Sequence, residues 1–337
     1  MSYELLGITV LWTFLYGYVI VASIDFGAGF FNYYTTITGK GPIVHKVINR
    51  YLSPVWEVTN VFLVFFYVGL LGFFPSVAYY YGTTLLIPGS IATILLCIRG
   101  SYYAFHHYGP KKATWTQFLY GATGLFIPAS LSTVLTISEG GYINVSNGNV
   151  SLDYGKLFTS FYSWSVIILA IVSVLYISAC FLTYYAHKAG DTEAFDILRK
   201  YALSWSLPTI LASFLVFLSI SHHNWEHFSR MLDLSWMFIL SSLFFLGAVY
   251  LIWKKQRLGL SFIFVMLQYA FAFSGYGAAH LPYLLYPYLS IYDGFTNEAM
   301  AIALIITFVA GLLLLIPSLI LLMRLFVFSN QYVQGKK

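Results

Sequence analysis

Nine stretches of eighteen or more mostly apolar residues run through the chain, at roughly 5–31, 53–74, 83–105, 115–137, 157–186, 202–221, 234–253, 258–279 and 298–327. A stretch of that length crosses the ~30 Å hydrocarbon core of a bilayer as an α-helix. No period-two alternation marks a membrane barrel, so the backbone groups must be satisfied within helices. Charge is correspondingly scarce: Asp, Glu, Lys and Arg make up 9% of the 337 residues, against about a quarter in a soluble domain. The pattern predicts an all-α integral membrane protein of about nine transmembrane helices. No segment is long enough for a separate soluble domain. The spacing suggests one transmembrane domain built as two four-helix bundles (1–137 and 157–279) and a final helix (298–327). The first apolar run lacks a basic leader and a small-residue cleavage site, so it is expected to remain as structure.

Basic residues set the expected orientation. Lys40, Lys46, Arg50, Lys111, Lys112, Lys188, Arg199, Lys200, Lys254, Lys255, Arg257, Arg324, Lys336 and Lys337 fall on one set of loops; Lys156 and Arg230 alone fall on the other. The positive-inside rule then places the N-terminus outside and the C-terminus inside, which requires an odd number of spans. Acids gather on the outside segments: Glu4, Glu139, Asp153, Glu226, Asp233, Asp293 and Glu298. The Gly-, Asn- and Ser-rich stretch 138–156 reads as an external turn-rich loop, and 187–200 as a long internal one. The net charge of +5 is a consequence of this topology and implies no nucleic acid partner.

Three ionisable residues break the rule that charge stays in loops: Asp25 in the first span, Glu57 early in the second and Arg99 late in the third. Each costs a few kcal/mol at bilayer depth unless it is paired or hydrated. With the orientation above, all three fall at one shallow level on the cytoplasmic side, Asp25 about a turn and a half from the inner end of its span. Two interpretations stand. Arg99 neutralises a carboxylate and ties three helices together, or Asp25 and Glu57 relay protons through a hydrated inlet, carboxylates in partial burial being suited to taking and releasing protons. Asn60 follows Glu57 by three residues and shares its helical face. The small residues around Asp25, in Ser23-Ile24-Asp25-Phe26-Gly27-Ala28-Gly29, favour close helix approach.

The remaining polar chemistry is sparse. His222, His223, Glu226 and His227 could offer two imidazoles one turn apart to a metal, but beside Trp225 and Arg230 they read as an interfacial polar belt. His106 and His107 read as inner-surface residues, with proton collection the alternative; His45 and His187 fall in inner loops and His280 on the outside. No histidine falls at mid-span, where a bis-histidine haem would need one. Cys97 and Cys180 read as small buried hydrophobes. Aromatic residues reach 20%, many suited to headgroup level. No phosphate-binding loop, dinucleotide fingerprint, Ser-His-Asp spacing or CxxC motif is present, so no soluble-type catalytic centre is expected.

Ile24-Asp25-Phe26-Gly27-Ala28-Gly29 near the end of the first span, Ser53-Pro54-Val55-Trp56-Glu57 opening the second, Gly72-Phe73-Phe74-Pro75 closing it, and Arg99 in the third follow one another at spacings that resemble subunit II of cytochrome bd-type quinol oxidases. The likeness covers the whole chain in length, helix number and orientation, while the sharp motifs lie in the first hundred residues. It implies a bacterial or archaeal plasma-membrane oxidase that oxidises quinol and reduces dioxygen to water. It implies also that haem b and haem d (or b in its place) reside in a haem-bearing subunit I partner, and that this chain binds no haem and no metal and holds no catalytic residue. Small single-helix accessory subunits, membrane lipids and the quinone pool are the other expected partners. Since protons for oxygen reduction come from the cytoplasm in that family, the resemblance carries a proton-path role to Asp25 and Glu57 and a pairing role to Arg99. Two positions depart from the family pattern: Val21 stands where a second acid is common, and Pro54-Val55-Trp56-Glu57-Val58-Thr59 replaces Pro-His-Trp-Asp-Gly-Asn. The alternative function is a proton-coupled secondary transporter, against which stand shallow acids and Gly/Pro interruptions at helix ends rather than in paired mid-span positions.

Overall fold

The structure is a computed structural model. It describes residues 2–108, 114–146, 149–322, 324 and 325, with the backbone alone for 49–58, 103–108 and 114. Four helices open the chain: α1 (Tyr3–Ile37), α2 (Gly41–Phe73), α3 (Val77–Thr84) and α4 (Leu86–Tyr108). After α5 (Thr114–Ser138) come a two-stranded hairpin, β1 (Ile143–Ser146) and β2 (Asn149–Leu152), and the short α6 (Tyr154–Thr159). Next are α7 (Phe161–Ala189), α8 (Thr192–His223), α9 (Trp225–Asp233), α10 (Ser235–Lys254) and α11 (Leu258–His280). A second small antiparallel pair, β3 (Tyr283–Leu285) and β4 (Leu289–Ser290), precedes α12 (Glu298–Leu322).

Among the described residues, seven helices are long and apolar enough to cross a membrane, and the pair α3–α4 makes an eighth if it counts as one bent span. The remaining expected span corresponds to α2, of which only Thr59–Phe73 qualifies as a shorter apolar helix. The span expected at 83–105 corresponds to α4, and the short α3 precedes it at an angle of 72°. Pro88 accounts for the break. It lacks the N–H that an unbroken helix would bond to Thr84, and its ring would clash with that residue's carbonyl.

The long internal loop expected at 187–200 is also absent. Gly190 takes a left-handed conformation (φ 73°) that ends α7, and the Asp191 side chain accepts from the Ala194 backbone N–H to start α8 at once. Glu193, Asp196, Arg199 and Lys200 therefore sit on the first turns of α8, and Lys188 on the last turn of α7. At the opposite end, the turn-rich stretch 138–156 holds the β1–β2 pair, in which Ile143 pairs with Leu152 and Ser146 with Asn149.

Helix α7 forms the centre, packing against α1, α5, α8 and α11. Its most apolar stretch is 72% buried, against 11% for that of α12. The apolar outer face of α12 carries Leu313 and Leu314, both largely exposed. Helices α1 and α7 approach closely at Gly27, where an added Cβ would lie 2.3 Å from Ser178 Cβ; there the Ser178 hydroxyl donates to the Ile24 carbonyl at 2.9 Å. Not all aromatic rings sit at helix ends. Phe14 stacks on Phe65 at 5.3 Å and meets Phe308 edge-on at 5.5 Å, joining α1, α2 and α12. Cys180 is buried as expected, whereas Cys97 is exposed on the outer surface of α4, because its neighbours on that face, such as Ile94 and Ile98, also point outward.

Candidate functional site

Among the described residues, two buried charged clusters lie within this bundle. The first joins Asp25 and Arg99, two of the three ionisable residues expected at one level. Arg99 from α4 donates from Nε to Asp25 Oδ2 at 2.9 Å, and its Nη2 donates to the Asp25 backbone carbonyl at 2.6 Å. Nη1 donates to the Tyr120 carbonyl of α5 at 2.9 Å and reaches the Thr123 hydroxyl at 3.4 Å. The Tyr120 hydroxyl in turn donates to Asp25 Oδ1 at 3.1 Å. The guanidinium also lies over the Tyr120 ring at 4.0 Å and the Phe26 ring at 5.1 Å. Both charged side chains are at most 3% exposed. The cluster thus binds α1, α4 and α5 at one point, and the ring stack of Tyr102 on Tyr120 at 4.2 Å closes it from one side.

Missing side chains make room for it. A Cβ on Gly29 would lie 3.0 Å from both terminal nitrogens of Arg99, and one on Gly124 would lie 2.2 Å from the Phe26 carbonyl oxygen. The small residues around Asp25 therefore seat an arginine in addition to bringing helices together.

Depth along the helix differs from the sequence expectation. Because α1 continues to Ile37, Asp25 lies twelve residues from its end, or ~18 Å at 1.5 Å per residue, rather than a turn and a half. The six residues from Asn32 to Ile37 are mixed polar and aromatic, so hydropathy alone ended the span too early. Of the other expected site residues, Asn60 is half-buried on α2. Glu57 lies outside the described side chains, as do His106 and His107. His45 is on α2 rather than in a loop, its Nε2 3.0 Å from the Asn32 carbonyl and 3.1 Å from the Thr36 hydroxyl.

The second cluster was not expected. Glu139, directly after α5, is 2% exposed, and His227 of α9 is fully buried. His227 Nδ1 lies 2.8 and 2.9 Å from the two Glu139 oxygens, and its Nε2 is 3.2 Å from the Tyr276 carbonyl. His280 at the end of α11 brings Nδ1 to 3.2 Å from Glu139 Oε1. Asn224 Nδ2 donates to Oε2 at 3.1 Å, and the Tyr276 hydroxyl donates to Oε1 at 2.5 Å. Burial raises the Glu139 pKa, but the hydrogen bonds from His227 and His280, with their charge, more than offset it and hold this carboxyl well below the usual range.

His227 therefore leaves the interfacial belt to which its sequence neighbours belong. His222 and Glu226 are exposed, and His223 stacks between Tyr142 and Tyr162 while contacting the Gly140 carbonyl at 3.1 Å. The separation is set by α9. Asn224 accepts from the His227 N–H to begin that helix, turning His227 inward and Glu226 outward.

The fold and the buried Asp25–Arg99 pair define a multi-pass helical membrane protein that keeps ion pairs inside its bundle. Comparison with known proteins gives its family. The sequence model of cytochrome bd terminal oxidase subunit II matches residues 3–326, and the chain belongs to that family. It is similar to a Bacillus subtilis (strain 168) protein that carries the provisional name cytochrome bd menaquinol oxidase subunit II, with 32% identity over 99% of this chain and 98% of the relative. Among solved structures it resembles a chain of the bd oxidase from Geobacillus thermodenitrificans, at 61% identity and a TM-score of 0.86, covering 98% of this chain and all of that one. It is accordingly a subunit of a respiratory quinol oxidase complex that contains haem and a partner subunit I.

Proposed function

We propose that this chain is the haem-free subunit II of a bacterial plasma-membrane quinol:oxygen oxidoreductase, and that it supports a haem-bearing subunit I while contributing a proton path from the cytoplasm. Haem b and haem d, or b in its place, belong to the partner. In this reading the N-terminus is outside, and the chain is two four-helix halves with α12 added. Within the halves α1 packs on α2 and α5, and α7 on α8 and α11, while α7 also packs on α1 and α5, so the two halves would share one core. The name of the Bacillus relative favours menaquinol as the electron donor. Lipids and small single-helix subunits would cover the apolar outer faces.

The observation that carries the proton-path assignment is the buried Asp25 carboxylate. Its Oδ2 is taken by Arg99, while Oδ1 receives the Tyr120 hydroxyl. A carboxylate with one oxygen fixed and the other in a hydroxyl contact can take a proton on the second while the first keeps the helices joined. Glu57 would hand protons to it, with Asn60 lining the same face of α2 and Arg99 lowering the cost of the charged state. Asp25 and Glu57 in this role favour an oxidase subunit over a proton-coupled transporter, since family membership supplies a reaction that consumes protons.

The test is oxygen consumption by the purified complex with Asp25→Asn and with Glu57→Gln. Slowed turnover, with haem content and assembly retained, is expected for each. Wild-type turnover in both would overturn the proton path, and loss of assembly would leave these residues as helix ties.

A further inference from the structure

Glu139, His227 and His280 come from three separate places in the chain, yet their ligand-capable atoms all lie within 4.8 Å of one another. We propose that this trio is a binding site for a divalent transition metal, zinc by its donor set, at the end of the bundle that carries the two β-hairpins. The site is independent of the proton path proposed for Asp25.

The donors fit such an ion. Two imidazole nitrogens and one carboxylate form the three-ligand set that zinc takes when it leaves a fourth place for water. Nitrogen and mixed donors select a transition ion over calcium or magnesium, which prefer oxygen alone. Both rings present Nδ1 to the same carboxylate, at 2.8 and 3.2 Å from Oε1. Bonds of about 2.0–2.2 Å in tetrahedral geometry place donor atoms ~3.2–3.6 Å apart, so a small outward movement of His227 is enough to admit the ion. His280 is held less firmly, because its Nε2 is buried with no hydrogen-bond partner, and its ring can turn about that contact.

The groups that orient two of the ligands, His227 and Glu139, are already in place. A ligating histidine usually gives its other N–H to a carbonyl or carboxylate, and Nε2 of His227 faces the Tyr276 carbonyl at 3.2 Å. Asn224 and the Tyr276 hydroxyl fix the two oxygens of Glu139. Arg230, on the same short helix as His227, is directed elsewhere, toward Glu226 at 3.5 Å and the Tyr283 ring. On binding, zinc takes the Nδ1 lone pair of His227, whose proton leaves to solvent. His280 coordinates through Nδ1 and carries its proton on Nε2. The ion then ties the end of α5, α9 and the end of α11 into one unit.

The test uses the whole purified oxidase complex, stripped with chelator, exposed to zinc chloride and gel-filtered before metal analysis. Wild-type complex is expected to retain roughly one zinc more per subunit II than complex carrying His280→Gln, as a three-ligand protein site would. X-ray absorption at the zinc edge on the wild-type complex is expected to show nitrogen and oxygen neighbours with the outer-shell scattering of two imidazoles. This second reading needs no variant and stands if His280→Gln fails to assemble. Zinc retained equally by both complexes, no zinc retained by wild type, or zinc without imidazole scattering would overturn the site.

Discussion

Arg99 reaches Asp25 twice, through the carboxylate at 2.9 Å and through the backbone carbonyl of the same residue at 2.6 Å. The second contact means that α4 grips the main chain of α1 as well as a side chain. Breaking a buried pair by removing one partner leaves an uncompensated charge and costs about 3–5 kcal/mol, whereas replacing both by apolar groups is often near neutral. Arg99→Met is therefore expected to lower the thermal stability of the purified complex sharply, and Asp25→Asn less, since the asparagine can still accept from Arg99. The double variant is expected to recover part of the Arg99→Met loss. A thermal double-mutant cycle measures this, and additive losses would count against a buried pair.

Gly124 tests how tightly that pair is seated. Its missing Cβ leaves the Phe26 carbonyl, a backbone group that cannot swing aside, as the nearest obstacle at 2.2 Å. Gly124→Ala must push α1 away from α5 and is expected to cost about 1–3 kcal/mol by overpacking. Gly82→Ala, where nothing lies within 4 Å, is the control and is expected to leave stability unchanged. Comparing detergent melting temperatures of the two variants decides the matter, and equal melting would show that α1 and α5 are not held at this spacing.

The second cluster makes a different demand. Glu139 accepts from Asn224, Tyr276 and two histidines at a site where Glu139 and His227 are buried and His280 is partly exposed. Glu139→Gln brings an N–H₂ group against these donors, so at least one buried hydrogen bond becomes a donor–donor clash. Leaving a buried polar group unsatisfied costs about 1–3 kcal/mol. The loss is expected locally, as faster hydrogen exchange in α9 and at the end of α11 while α1 and α4 stay protected. Uniformly faster exchange would mean that this cluster supports the whole bundle instead.

Sequence reading found the first cluster and missed the second for physical reasons. Asp25 and Arg99 stand out because each interrupts a long apolar run, and charge within a run is costly wherever it lies. Glu139, His227 and His280 interrupt nothing. They follow or precede spans, where polar residues are ordinary, and their meeting depends on tertiary packing across 88 residues from Glu139 to His227 and 141 from Glu139 to His280. One local signal was readable: Asn224 followed by Trp225-Glu226-His227 is a helix start, and a short amphipathic helix there turns His227 inward. The same rule applied to Asp191 would have removed the expected internal loop, since that residue caps α8. Span ends were misplaced where polar and aromatic residues continue a helix beyond its apolar part, as after Phe31 in α1.

Tyr276 joins the second cluster to the centre of the bundle, and its hydroxyl separates two kinds of contact. It donates to Glu139 Oε1 and lies 3.2 Å from the Tyr162 hydroxyl of α7, while its backbone carbonyl, untouched by substitution, serves His227 Nε2. Tyr276→Phe removes the hydroxyl and keeps both the ring packing against His227 at 4.9 Å and the carbonyl. Glu139 keeps its other donors, so the expected cost is that of one hydrogen bond to a charged acceptor, about 1.5–3 kcal/mol. Tyr162→Phe removes only the outer link and is expected to cost about 0.5–1.5 kcal/mol. Chemical denaturation of the two variants side by side gives the order. If Tyr162→Phe proves the more damaging, the chain of hydroxyls does not run toward Glu139.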